Sequence, residues 1–238
     1  GLNVAYAYRI PVGNNAKLAV GIQGGLENYS GDWSKLVLQT TGSDPAFLEN
    51  PNSFLPNFGA GIYFQTPKFY TGFASPQLIE YDLRASQTIT TNIWARQARH
   101  YYFSIGGAIP INGDALVFKP SGLIKNVGLL SSFDKQAGFE NIGAPTEFDV
   151  DLSFLLQQTF WIGASFRSAF EGFGANATSS FDSADIWFSW FMPNGMRFGA
   201  AYDYPLTKLS DITLGSFEIM LGYEFDYRTK KIVTPRYF

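Results

Sequence analysis

Five charged side chains spaced through the C-terminal half carry the clearest chemical pattern: Asp149, Arg167, Asp185, Asp203 and Glu218. Each occupies a polar position in a stretch where apolar and polar residues alternate, so all five face away from their apolar neighbours. If the turn after the first stretch centres near residue 158, Asp149 and Arg167 are each nine residues from it. If the next turn centres near 194, Asp185 and Asp203 are also nine away, and Glu218 stands nine from Tyr227. On five neighbouring strands they would form one belt, about 20 Å from the turns at ~3.4 Å per residue and a tilt of ~40°. Such a belt could brace a wall through ion pairs, or dock a basic or amide-rich segment or a cation. Four carboxylates face one arginine, so Lys119, Lys125, Arg197 or a second molecule must supply positive charge.

Other chemistry is sparse. Cysteine is absent, which removes disulfides, thiolate metal sites and thiol catalysis together. His100 is the sole histidine, so no histidine-rich metal site can form. A Ser–His pair of His100 with Ser75 or Ser121 has no spacing or third group behind it, and a structural histidine is the simpler reading. The run Gly21-Ile22-Gln23-Gly24-Gly25 has no helix after it and so is no phosphate loop; its glycines let the backbone be approached closely. A net charge of -3 leaves no electrostatic footprint for nucleic acid. The chain is expected to be no enzyme and to need no cofactor or metal.

The elements that must position these residues are strands. Charged residues make up 16% of the 238, against the about 25% usual for soluble domains. No apolar run approaches the ~18 to 20 residues of a spanning helix. Alternation instead predicts eleven strands, at 2–11, 16–28, 57–66, 68–76, 99–109, 114–127, 146–156, 159–168, 184–192, 196–204 and 215–227. Most are near ten residues, the length of a tilted membrane strand rather than the ~5–6 of a soluble one. Tight turns at Val12-Gly13-Asn14-Asn15, Pro67, Pro110-Ile111-Asn112-Gly113, Gln157-Gln158 and Pro193-Asn194-Gly195 alternate with long links at 29–56, 77–98, 128–145, 169–183 and 205–214. Short connections on one rim and long ones on the other predict an all-β, transmembrane antiparallel β-barrel. Its turns would be periplasmic and its long loops extracellular.

Residues 1–238 then form a single outer-membrane domain, with 228–238 as a periplasmic tail carrying Arg228, Lys230, Lys231 and Arg236. Eleven strands is odd and single-chain bacterial barrels are even. One or three further strands are therefore expected ahead of Gly1, for 12 or 14 in all, with 14 favoured. Tyr202 and Tyr204 at one rim and Tyr223, Phe225 and Tyr227 at the other suit the two aromatic girdles. Within the long links, Trp33, Leu78 and Tyr81 are candidate anchors for a partner, although these loops could equally fold back as a cap.

Several stretches together resemble one family. They are Pro56-Asn57-Phe58-Gly59-Ala60-Gly61-Ile62-Tyr63-Phe64, Lys68-Phe69-Tyr70-Thr71-Gly72-Phe73-Ala74-Ser75, Arg99-His100-Tyr101-Tyr102, Lys119-Pro120-Ser121 and Phe160-Trp161-Ile162-Gly163-Ala164-Ser165-Phe166-Arg167. Tyr202-Asp203-Tyr204-Pro205-Leu206-Thr207-Lys208-Leu209, Gly215-Ser216-Phe217-Glu218-Ile219-Met220-Leu221 and Pro235-Arg236-Tyr237-Phe238 complete the set. The chain resembles the PorP/SprF outer-membrane proteins of the Bacteroidota type IX secretion and gliding system. Phe217 stands where that family often has histidine, so no role of that histidine carries over. The resemblance implies a barrel in the lipid bilayer that works with type IX secretion components. It also implies that the barrel binds the C-terminal domain of a large secreted adhesin for export or surface retention. The alternative class is a porin or transporter for small solutes, which would need an open lumen.

Overall fold

In strands β1 (Leu2–Val12) and β2 (Ala16–Ser30), alternation gives two faces of opposite character. The computed structural model describes residues 1–32, 50, 52–82, 96–128, 145–171 and 178–225. Along the chain there follow β3 (Asn52–Gln65), β4 (Phe69–Ser75), the short β5 (Tyr81–Asp82) and β6 (Arg96–Gln97), β7 (His100–Gly107) and β8 (Ile109–Asn112). Then come β9 (Leu116–Val127), β10 (Thr146–Leu156), β11 (Phe160–Glu171), β12 (Thr178–Phe191), β13 (Met196–Pro205) and β14 (Ser216–Tyr223). The main sheet is an antiparallel meander in the order β1-β2-β3-β4-β7-β9-β10-β11-β12-β13-β14, with β8 paired to β9. All eleven expected strands are present in that order. Among the described residues the sheet is open, with β1 and β14 at its ends.

One face of the sheet is apolar and exposed. Leu2, Val4, Tyr6 and Tyr8 on β1 retain 63 to 69% of their accessible surface, and Ile62, Phe73, Phe103, Ile124, Leu152, Ile162, Ile186, Ile219 and Leu221 continue the face across the sheet. A continuous exposed apolar surface is what needs explaining in a folded chain, and lipid explains it. An eleven-residue strand such as β10 rises about 28 Å when tilted by ~40°, enough for the hydrocarbon layer. Among the described residues no helix is long and apolar enough to cross a membrane. Tyr202, Tyr204, Tyr223 and Phe225 are exposed at the strand ends as expected for girdles; Tyr227 lies outside the described residues.

The opposite face is polar, and near the short-turn rim Ala108, Val117 and Leu155 form a small buried cluster packed with Trp161. Large rings on this face lie across glycines of the neighbouring strand. A Cβ on Gly72 would stand 2.8 Å from the Tyr63 ring, on Gly106 2.5 Å from Tyr70, and on Gly163 2.6 Å from Trp187. The side chain of Asn3 on β1 covers Gly25 on β2 in the same way, so one glycine of the run allows close approach between the two strands.

Three local differences from the sequence expectation have physical causes. Pro110-Ile111-Asn112 belongs to β8 rather than to a turn. The pairing of β7 with β9 carries on beyond Ala108 in unchanged register, from Gly106↔Ser121 to Ile109↔Phe118. Pro110 is tolerated because β4 ends opposite Gly107, leaving that edge of β8 without a ladder partner. The hairpins β2–β3 and β11–β12 also rise further than expected, to Ser30↔Asn52 and Glu171↔Thr178. Finally, the link after β13 contains a 3-10 turn at Lys208–Asp211, capped by the Thr207 hydroxyl, which accepts from Leu209 N–H.

Candidate functional site

The polar face encloses a concavity of about 330 Å³, whose lining includes Tyr70, Ser121, Asp149, Asp151, Ser165, Arg167 and Asp185. Cross-strand register shows how they meet. Asp149 pairs with Arg167 and Asp185 with Asp203, as the two turn centres require. Between the two hairpins the belt breaks. Asp185 lies opposite Ser165, and Arg167 lies opposite Ser183, so the second hairpin sits two residues out of step with the first; the extra residue of β12 lies beyond this point, beside the Arg167/Ser168 step. Glu218 pairs with Ala201, one polar position nearer the turn rim than Asp203, which pairs with Ser216. The five residues therefore occupy three rows: Asp149 with Arg167, Asp185 with Asp203, and Glu218.

Two residues not singled out in the belt, Lys125 and Glu147, close a neutral group around Asp149 and Arg167. Lys125 Nζ is 2.8 Å from Asp149 and 2.9 Å from Glu147, while Arg167 Nε is 2.8 Å from Asp149 and 2.7 Å from Glu147. Each cation thus spans both carboxylates in a neutral square across β9, β10 and β11. The sequence signal was available: Glu147 shares the polar side of β10 with Asp149, two residues away. Asp151, next in that series, accepts from Ser165 Oγ at 2.9 Å and Trp187 Nε1 at 2.8 Å. Asp185 and Asp203 make no ion pair among the described residues, although Arg167 is near enough to attract Asp203.

Leu78 and Tyr81 fold back onto β3. The Asn57 side-chain oxygen accepts from Phe58 N–H at 2.9 Å and from Leu78 and Ile79 N–H, both at 3.1 Å. Its amide donates to the Ile79 carbonyl at 3.0 Å. Leu78 N–H also donates to the Phe58 carbonyl at 2.9 Å, and the Tyr81 hydroxyl donates to the Pro56 carbonyl. The strap can turn there because a Cβ on Gly59 would lie 2.6 Å from the Pro76 carbonyl oxygen. Trp33 and the tail 228–238 lie outside the described residues.

His100 is paired with neither Ser75 nor Ser121. His100 stacks on Tyr102 with ring centroids 6.4 Å apart, and its Nδ1 is 3.0 Å from the Ala98 carbonyl. Ser121 pairs with Gly106, six positions along β7 and about 20 Å from His100. Ser75 follows Ala74, which pairs with Tyr102, and so falls on the other face. Among the described residues no three His, Asp or Glu side chains are grouped to hold a metal.

An antiparallel meander with one lipid-suited face and one polar, charge-braced face is the wall of a transmembrane β-barrel. The family model of the type IX secretion system membrane protein PorP/SprF matches residues 1–223, and the chain belongs to that family. It is accordingly an outer-membrane component of type IX secretion, in a family of secretion-system membrane proteins rather than of enzymes. A search of curated proteins finds no match.

Proposed function

We propose that this barrel binds the C-terminal domain of a secreted adhesin, for export or surface retention, by recognition alone and without a covalent step. The observation that carries the reading is the directly paired Asp185 and Asp203 on the polar face. Like charges opposite one another destabilise a ladder, and the nearest square of charges is already neutral. A basic or amide-rich segment of the partner supplies the missing charge. Asp149 and Arg167 brace the wall on its long-link side, Glu218 continues the acidic surface toward the turns, and Leu78 and Tyr81 border the mouth, with Trp33, outside the described residues, as a further candidate anchor. In this reading the long links are extracellular, and the turns and C-terminus are periplasmic.

The test is retention of the cargo. Cells carrying Asp185→Asn with Asp203→Asn should release into the medium a large secreted protein that wild-type cells keep at the surface. That same protein should co-purify stoichiometrically with the wild-type barrel in mild detergent. A barrel that purifies alone and conducts ions in a planar bilayer would refute the proposal and favour a porin.

A further inference from the structure

A second constellation sits near the short-turn rim, apart from the aspartates. Lys119, on the polar face of β9, is only 9% exposed. It crosses Ser153 of β10, whose Oγ donates to the Lys119 carbonyl at 2.9 Å, and its Nζ rests 3.6 Å from the centroid of the Trp161 ring on β11. Trp161 stacks on Phe191 at 6.3 Å and 24°, and the Arg197 guanidinium carbon lies 4.6 Å from the Phe191 ring centre. The order is cation, ring, ring, cation. Trp187 buttresses it edge-on, 4.9 Å from Trp161.

This cluster has donors and too few acceptors. Trp161 Nε1 and Arg197 Nε are buried with no hydrogen-bond partner, and neither Lys119 nor Arg197 makes an ion pair among the described residues. Lys119 and Arg197 are near enough to repel one another. The carboxylate that attracts Lys119 is Asp151, whose Oδ2 already accepts from Ser165 and Trp187. Buried unpaired donors are rare because each gives up its bonds to water without a replacement. Here two accompany two like charges in a half-closed aromatic setting. The local formal charge, two cations against Asp151, is +1. That balance matches a monovalent oxyanion and disfavours a dianionic phosphate.

We infer that Lys119, Trp161 and Arg197 form a carboxylate-binding site on the polar face near the turn rim, with Phe191 and Trp187 as its aromatic walls. The ligand is either a small free carboxylate or an acidic side chain of a peptide segment inside the barrel. The inference is independent of how Asp185 and Asp203 are used.

The experiment follows tryptophan fluorescence of the purified full-length protein in detergent, titrated with sodium acetate against sodium chloride at constant ionic strength. Acetate should give a saturable change, and Lys119→Gln or Arg197→Gln should each weaken it about tenfold or more, the loss of one charge-assisted hydrogen bond. Trp161→Phe keeps the ring and removes the N–H, and should weaken acetate with Trp187 as reporter. Heat-modifiable gel migration identifies variants that fold. A glutamate-bearing peptide that competes with acetate, while its glutamine twin does not, assigns the ligand to a peptide. Acetate binding without peptide competition assigns it to a small carboxylate. A response to acetate no different from chloride, phosphate binding as tightly as acetate, or undiminished acetate binding by folded K119Q/R197Q overturns the inference.

Discussion

Asn57→Ala isolates the strap that carries Leu78 and Tyr81. The wild-type side chain makes three hydrogen bonds to this segment: its oxygen accepts from Leu78 and Ile79 N–H, and its amide donates to the Ile79 carbonyl. Leu78 N–H keeps the Phe58 carbonyl as an acceptor, so the substitution strands two groups, both on Ile79. At about 1 kcal/mol each, the strap should open more easily by about 2 kcal/mol, or about 30-fold. Hydrogen exchange read by mass spectrometry on the detergent-solubilised protein should show the 77–81 segment exchanging faster by that order, with β10 unchanged. Asn57→Asp keeps the acceptor for Leu78 and Ile79 N–H but turns a carboxylate oxygen toward the Ile79 carbonyl, so it too should accelerate exchange of the segment. Equal exchange in wild type and Asn57→Ala would refute the reasoning. It would return Leu78 and Tyr81 to the status of free anchors.

Further consequences can be checked by thermal unfolding in detergent. Lys125→Met leaves Glu147 and Asp149 sharing one cation and should destabilise the wall by about 1 to 2 kcal/mol; adding Glu147→Gln restores neutrality and should recover part of the loss. Gly163→Ala places a methyl 2.6 Å from the Trp187 ring and 2.7 Å from Ser153 Cβ. It should cost about 1 to 3 kcal/mol and shift tryptophan emission as the Trp187–Asp151 bond is lost. Gln157 and Gln158 both have positive φ in the turn closed by Thr159 N–H to the Leu156 carbonyl. Gln158→Gly should therefore raise stability by about 1 kcal/mol, and an unchanged melting temperature would contradict the strain assigned to it.

Much of the fold was legible because membrane strands alternate without ambiguity when one face meets lipid and the other does not. Phe148, Val150, Leu152, Phe154 and Leu156 could only share a face. The strand register within a hairpin was equally legible, since a tight turn fixes it; hence Asp149↔Arg167 and Asp185↔Asp203. Register across a long link has no such anchor. The register between β11 and β12 places Asp185 one polar position away from Arg167, and nothing in the alternation of β11 or β12 alone announces it. Lys119 was noticed as a charge but not as part of a site. Its contact with Trp161 depends on Ser153 and Gly163 being small enough to let long side chains pass over two strands, a property of three neighbouring strands at once.

The polar wall is consequently divided along its length. On β11 Trp161 is four residues from Ser165, which faces Asp185, and on β13 Arg197 is six residues from Asp203, which separates the ligand-touching groups of the two regions by about 14 to 20 Å, with Trp187 and Asp151 between them. The region nearer the long links holds a neutral square beside two aspartates in excess; the region near the turns holds two cations beside one committed aspartate. A segment lying along the wall would meet opposite demands at its two ends, basic or amide groups at one and a carboxylate at the other. At that separation the two sets of contacts share no residue and should act additively. Asp185→Asn/Asp203→Asn should therefore leave acetate affinity unchanged, and Lys119→Gln should leave unchanged the binding of a lysine-bearing peptide without acidic residues. If either substitution altered the other readout by more than about twofold, the two regions would be one coupled site, and the wall would have to be read as a single charge network.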